Sequence, residues 1–355
     1  MKAVIKEKKG YDNISYKDVT IPGINDDEVL IKVKAAGICG SDIHIFYDEF
    51  PYWPPVILGH EFSGIIVKVG KNIKRFKVGD RVTSEVQQRV CGICRFCRLG
   101  LIHLCSSKRS PGYGIDGAMA DFIKLPEPLL HELPENISFI EGAVIEPAST
   151  VTHAIIERGN IKAQDFVVVI GPGPIGLIAA QVAKICGAKK VVICGITKDT
   201  NYRLNVAKEL NIDFIVNIEE TDLNKLILSQ TNNYGADFAI ECSGSESGIN
   251  LAIDVLAKNG KLIGMGLCGK DIIKFKWDRI VYKELNVIPS MSSSFSSWDY
   301  TIGMLSDGKL NLEKIVSHTT PMSKYREAFD LIINKKGLKI VLIPDEEYLK
   351  NKIES

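Results

Sequence analysis

Two hydrophobic patterns divide the chain. In the first 149 residues, short runs of alternating apolar and polar residues occur at 2–6, 14–19, 28–35, 56–58, 63–69 and 81–86, separated by turn formers such as Pro22-Gly23, Asn25-Asp26-Asp27, Gly70 and Gly79-Asp80. A period of two bounded by turn residues predicts half-buried strands, and so a mostly β domain. From about 150 to 291 the pattern changes. Strand-like runs at 166–170, 190–194, 214–216, 237–241 and 261–264 alternate with helical stretches at 177–186, 204–210, 222–229 and 249–256. Strand and helix in turn predict an α/β domain with a doubly wound parallel sheet and right-handed crossovers. The remainder, 292–355, predicts amphipathic helices at 298–305 and 324–333 and a final strand at 339–343.

Length agrees with two domains, because 355 residues exceed one ordinary core. A net charge of +1 offers no basic field for nucleic acid or an anionic membrane. The apolar run 166–183 is broken by Gly171, Pro172, Gly173, Pro174 and Gly176, so it reads as strand, turn and helix and not as a membrane span. The amino terminus enters a strand directly, with no signal peptide. Of nine cysteines, four cluster at metal spacing and the rest lie singly, which suits a reducing cytoplasm.

The candidate chemistry sits on loops of the β part. Cys39-Gly40-Ser41-Asp42-Ile43-His44 and Gly59-His60-Glu61 together offer a soft thiolate, imidazoles and carboxylates. Cys39 and His60 are good zinc ligands and Glu61 can add an oxygen; three protein ligands and one open position suit a catalytic zinc. Further on, Cys91, Cys94 and Cys97 are each separated by two residues, and Cys105 follows. Four thiolates close a tetrahedral site, so this zinc is structural, with Arg89, Arg95, Arg98 and Lys108 partly offsetting its negative charge. An iron–sulfur cluster uses similar gaps and remains as an alternative, whereas no dithiol motif near a thioredoxin-like unit supports a redox pair.

In the α/β part, Gly171-Pro172-Gly173-Pro174-Ile175-Gly176 stands between a strand and a helix. Gly171 allows the tight turn, Gly173 lets backbone approach a pyrophosphate, and Gly176 lets helix and strand pack closely. The phosphates then face the helix amino terminus at Pro174 and Ile175. Cys242-Ser243-Gly244 lie at the carboxyl end of a strand, where such sheets bind ligands. The acidic residue that holds the ribose of NAD is expected about twenty residues beyond the glycines. Gly195 stands there instead, followed by Thr197, Lys198 and Arg203, which can bind a 2′-phosphate; Asp199 in the same loop favours NAD. The reading leans to NADP.

These motifs, in this order along nearly the whole chain, resemble the zinc-dependent medium-chain dehydrogenases, in their sorbitol (iditol) dehydrogenase branch. The resemblance implies a GroES-like catalytic domain of 1–149 and 292–355 with a zinc lobe at about 89–107, and a Rossmann domain of 150–291. It implies Cys39 and His60 as ligands of a catalytic zinc, with Glu61 a ligand or just behind it. Glu146 stands where alcohol dehydrogenases carry a second cysteine ligand and the sorbitol branch carries glutamate, so the resemblance implies it as a zinc ligand or as the holder of a water that takes the alcohol proton. Asp42 would orient the ring of His60, and Ser41 and His44 would pass the alcohol proton to solvent. The strand around 284–289 resembles the one that pairs subunits into a dimer or tetramer. Animal-type sorbitol dehydrogenases carry an arginine–tyrosine pair for the polyol where this chain has Ser290-Met291-Ser292-Ser293-Ser294-Phe295. The activity implied is oxidation of a secondary alcohol, a polyol or sugar, with NAD(P). The rival readings are a lyase that uses the cofactor transiently and a non-enzymatic binding protein.

Overall fold

A computed structural model describes residues 1–354, with side chains through 350. The chain forms two compact units. The first comprises 1–147, 294–302 and the residues from 316 onward; the second comprises 148–293 and 303–315.

The first unit is mostly β, as the alternating pattern predicts. An antiparallel three-stranded sheet runs in the order Ile14–Asp18, Lys2–Lys6, Val56–Ile57. A seven-stranded sheet is built on the long strand Glu28–Gly37, which pairs antiparallel with Glu61–Val69, Phe122–Pro126 and Lys339–Ile343. The structure adds the strands Phe122–Pro126, Leu130–Glu132 and Val316–Pro321 to those the sequence pattern predicts. The core of this unit joins Val29, Ile31 and Val33 to Phe62 and Ile66, and to Tyr325, Ala328 and Phe329 of a carboxyl-terminal helix. That helix, Tyr325–Ile333, lies in the stretch given to the first domain from sequence. Residues 303–315 do otherwise: the Gln181 side chain exchanges hydrogen bonds with the Asn311 backbone, and Lys314 Nζ donates to Glu209 O, all within the second unit.

The second unit is a six-stranded parallel sheet in the order Phe214–Asn217, Lys190–Gly195, Phe166–Ile170, Ala236–Glu241, Leu256–Gly264, Asn286–Pro289. The central strand Phe166–Ile170 is buried throughout, which its unbroken apolar run requires of a strand covered on both faces. Chain order runs outward in both directions from it, so a ligand crevice opens at the carboxyl end of this strand. The glycine loop and the helix Pro174–Ile185 begin there. Asn286–Pro289 is the edge strand, with Val287 exposed. Among the described residues no helix is long and apolar enough to cross a membrane.

Candidate active site

Cys39 follows the strand Glu28–Gly37 by two residues and caps the short helix Gly40–Phe46, whose first turn carries Asp42. His60 and Glu61 stand where the neighbouring strand Glu61–Val69 begins, with Gly37 directly opposite Glu61. The register therefore brings two loop segments together. The ligand atoms of Cys39, His60 and Glu61 lie within 4.8 Å of one another, and His60 and Glu61 are buried. A Cβ at position 37 would stand 2.3 Å from Glu61 Oε2 and 3.0 Å from the Ala143 carbonyl oxygen, so only glycine leaves room for this carboxylate.

Glu61 is held from the other side by Lys339, a residue of the strand Lys339–Ile343. Lys339 is 5% exposed; its Nζ pairs with Glu61 Oε2 and donates to Ile38 O at 2.9 Å. It thus ties the segment bearing Cys39 to the one bearing Glu61. Burial disfavours the charged ammonium, but Glu61 and then Cys39 outweigh burial and keep the Lys339 pKa above its ordinary value. A buried lysine beside a buried carboxylate leaves no sequence periodicity to find it by.

Glu146 lies in the first turn of the helix Ile145–Thr152 and is also buried, but it stands outside the close set of three. Burial pushes its carboxyl up to about 7; Glu61 pushes the same way, against the opposing pull of His60, Lys339 and Lys108. Burial alone would depress the His60 ring, yet the Cys39 thiolate beside it, then Asp42 and Glu146, hold its pKa well above the usual histidine range.

Asp42 Oδ2 accepts the Cys39 N–H at 2.8 Å as a cap of the helix, while Asp42 Oδ1 and His60 Nδ1 are buried without a hydrogen-bond partner. The charge of the carboxylate favours the protonated His60 ring. Ser41 Oγ has no partner, and the half-exposed His44 ring faces Glu49 Oε2 at 3.2 Å.

The chemistry of the donor set fits zinc: a thiolate, an imidazole and a carboxylate whose free Oε1 has no hydrogen-bond partner, gathered in a buried place. The second cluster fits as well. Sulfurs bound tetrahedrally to one zinc at about 2.3 Å stand about 3.8 Å apart. Cys91 Sγ lies 3.7 Å from Cys105 Sγ and 4.0 Å from Cys97 Sγ, and all four cysteines are free of disulfides. Backbone N–H groups of Cys94, Cys97 and Cys91 point at the sulfurs of Cys91, Cys94 and Cys105 at 3.3–3.5 Å. Such bonds favour thiolate, and Cys91 is brought down to about 6 by those from Cys94 and Ile93.

In the second unit the glycine loop has the shape a pyrophosphate needs. Gly171 adopts φ +98°, and a Cβ there would meet the Ser243 backbone at 3.0 Å. A Cβ at Gly176 would lie 1.9 Å from Gly171 O, whereas one at Gly173 would meet nothing within 4 Å. Cys242 and Ser243 follow the strand Ala236–Glu241; Cys242 N–H donates to Ile170 O and Ser243 N–H to Glu241 Oε1 at 2.8 Å. Gly195 ends its strand. Asp199 Oδ2 would stand 2.9 Å from a Cβ at that position, accepts the Ile196 N–H, and its Oδ1 faces Arg203 Nη1 at 3.6 Å. Thr197 N–H donates to Glu219 at 2.9 Å, and Thr197 and Lys198 open a single helical turn.

Comparison with known proteins agrees with both halves of this arrangement. Residues 25–135 match the alcohol dehydrogenase GroES-like domain, and 174–307 match the zinc-binding dehydrogenase family. The chain is 37% identical to D-arabitol-phosphate dehydrogenase of Enterococcus avium, over 98% of each protein. It is 38% identical to sorbitol dehydrogenase of Halalkalibacterium halodurans, over 97% of this chain and 99% of that one. A zinc-binding dehydrogenase from Sinorhizobium meliloti 1021, solved with NADP, superposes with a TM-score of 0.88 at 30% identity, covering 97% and 99% of the two chains. With ligand cluster, glycine loop and relatives in agreement over almost its full length, the chain belongs to the zinc-dependent medium-chain dehydrogenases, of the sorbitol dehydrogenase type, and is an NAD(P)-dependent alcohol dehydrogenase.

Proposed function

We propose that the protein oxidises a secondary hydroxyl of a polyol, a sugar or their derivatives to the ketone, using two zinc ions per chain with separate tasks. The observation that carries this is the convergence of Cys39, His60 and Glu61 within 4.8 Å in a buried place. In this reading Cys39, His60 and Glu61 Oε1 hold the catalytic zinc, and the four cysteines hold the structural one. Zinc, when bound, supplies Lewis acidity to the alcohol oxygen. The nicotinamide, when bound, accepts the hydride. The residues of the chain do the rest. Lys339 fixes Glu61, Gly37 makes room for it, and Glu146 is a buried carboxyl whose pKa burial pushes up to about 7. Ser41, with an unpartnered hydroxyl, and His44, half exposed, are the route proposed for the departing proton. A spectrophotometric panel of polyols and polyol phosphates, read by cofactor reduction, tests the reading; a zinc-loaded protein that reduces no cofactor with any of them contradicts it.

NADP is the cofactor proposed over NAD. Gly195 places no acid of its own at the ribose, and Lys198 and Arg203 are at hand for a 2′-phosphate. Such a phosphate would draw Arg203 away from Asp199, which it now faces at 3.6 Å. Comparison of kcat/KM for the two cofactors at one pH decides it. A tenfold advantage for NAD, about 1.4 kcal/mol, rejects NADP and makes Asp199 the ribose ligand.

The edge strand Asn286–Pro289, with exposed Val287, Trp277 and Tyr282 in the same unit, supports pairing into a homo-oligomer, a dimer or tetramer, which light scattering of the purified protein reads directly. Nine free cysteines support a cytoplasmic site of action.

A further inference from the structure

One buried carboxylate of the second unit has no cation beside it. Glu241 ends the strand Ala236–Glu241, next to Ile170 and Gly264 of the neighbouring strands, and is 2% exposed. Its Oε1 accepts the Ser243 N–H at 2.8 Å and the Ser243 hydroxyl, and its Oε2 accepts the Gly244 N–H at 3.2 Å. Both oxygens receive backbone donors, which suits a carboxylate, a group that only accepts. Among the described residues no lysine, arginine or histidine pairs with it. A charge taken out of water ordinarily has such a partner, and here neutral donors stand in its place.

Glycines keep the space for this group. A Cβ at Gly248 would stand 2.8 Å from Glu241 Oε1, and one at Gly266 would stand 2.5 Å from Glu241 Oε2. Gly244 adopts φ +61°, and the Ser243 backbone lies 3.0 Å from where a Cβ of Gly171 would be. The carboxylate is thus fixed at the crevice end of the sheet, under a turn that packs on the glycine loop.

The strand order decides which half of a dinucleotide it meets. Lys190–Gly195 lies on one side of the central strand Phe166–Ile170, and Ala236–Glu241 lies on the other. A dinucleotide lies across this switch point, with its pyrophosphate at the glycine loop and its adenosine ribose at the end of the next strand, Lys190–Gly195. The nicotinamide half then falls on the side of Glu241. The two sides differ in charge. Asp199 on the adenosine side faces Arg203 Nη1 at 3.6 Å, whereas the charge of Glu241 is unanswered. The nicotinamide ring is positive when oxidised and neutral when reduced.

We propose that Glu241 makes the site discriminate between the two forms of its cofactor, holding the oxidised form and easing release of the reduced one. The inference rests on the glycine loop being the cofactor site. Glu241 is a positioning residue for the turn and, through its charge, a determinant of which form stays bound.

Fluorescence titration of the zinc-loaded protein with oxidised and reduced NADP, and with oxidised and reduced NAD, gives the ratio of the two Kd values for each cofactor. Glu241→Gln removes the charge and turns an NH2 group toward one of the backbone donors, so both affinities should fall. The charge itself is read in the ratio. Preference for the oxidised form should drop about threefold to tenfold, as for one charge acting at an effective dielectric constant of about 20. Glu241→Asp keeps the charge and should hold the ratio within about twofold of wild type. Circular dichroism checks the fold, and Glu241→Ser makes the same comparison where Glu241→Gln does not fold. An unchanged ratio in the charge-removing variant overturns the proposal even where both affinities fall, because Glu241 would then only shape the turn. Gly173→Asp tests the glycine loop separately. A Cβ there meets nothing within 4 Å, and the added carboxylate repels a pyrophosphate. Both forms should bind at least about tenfold more weakly, with their ratio unchanged. Binding like wild type in Gly173→Asp would refute the loop as the cofactor site, and the role of Glu241 with it.

Discussion

The two ligand clusters of the first unit are made in opposite ways. Cys91, Cys94, Cys97 and Cys105 come from one short stretch, three of them half-buried, with Ile93 and Leu99 beside them in solvent. Cys39 and the pair His60-Glu61 come from two separate segments and meet because Glu28–Gly37 pairs with Glu61–Val69. The first cluster is set by spacing along the chain, the second by strand register, a glycine without a Cβ and a lysine from the last strand. A local cluster needs metal to hold its shape. A cluster built by packing is held by the fold and left free to do chemistry.

The largest effect expected from this contrast is on turnover. Stripping zinc from the buried cluster should lower kcat on the order of a thousandfold or more, since Lewis-acid assistance is worth several kcal/mol, and zinc readdition should restore it. Full activity in zinc-free protein, verified by metal analysis, would break the contrast at once.

Lys339→Met should cost about 3–5 kcal/mol in urea unfolding, because it strands the buried Glu61 charge. The double variant with Glu61→Met should recover most of that loss. If the single variant unfolds like wild type, Lys339 is not what holds the buried cluster.

Cys94→Ser should act on the other side of the contrast. We expect one zinc lost, about 1–3 kcal/mol of stability lost, and faster proteolysis near residues 89–108, with a smaller fall in turnover than zinc removal from the buried site. Equal loss of turnover in the two cases would mean that the clusters are not separable.

The smallest expected effect is in protons. The His60 ring holds its proton to higher pH than an ordinary histidine because Cys39, Asp42 and Glu146 outweigh burial. Zinc must displace that proton, so zinc affinity should rise with pH and weaken as pH falls below the ring's raised pKa. Calorimetry in buffers of different ionisation enthalpy should register about one proton or more released per catalytic zinc at neutral pH. Binding with no proton release would show that the metal-free ring is neutral.

Much of this was legible in the sequence. Cysteine spacing located the lobe, the glycine run between strand and helix located the cofactor loop, and alternating patterns gave the two architectures. Cys39, His60 and Glu61 were singled out by residue type and brought together by the register. What stayed hidden depends on contacts between distant segments. Lys339 reads as one polar residue in a strand, and its partner Glu61 lies far away in sequence. Asp42 has the right chemistry to orient His60, and the bond it accepts from the Cys39 N–H is not shown by residue type. Residues 303–315 carry ordinary helix and turn signals, and only the bonds from Gln181 and Lys314 show which unit they join. The helix Asp345–Glu354 begins with three acids, and its Glu347 is held by Lys32 and Lys34.

The most direct test is metal content measured together with cofactor reduction in His60→Ala. The account predicts one zinc per chain where wild type has two, retention of nicotinamide binding by the intact glycine loop, and turnover reduced to near background. A variant that keeps two zincs and near-normal turnover would contradict it, since His60 would then hold no metal and the buried cluster would not be the catalytic one.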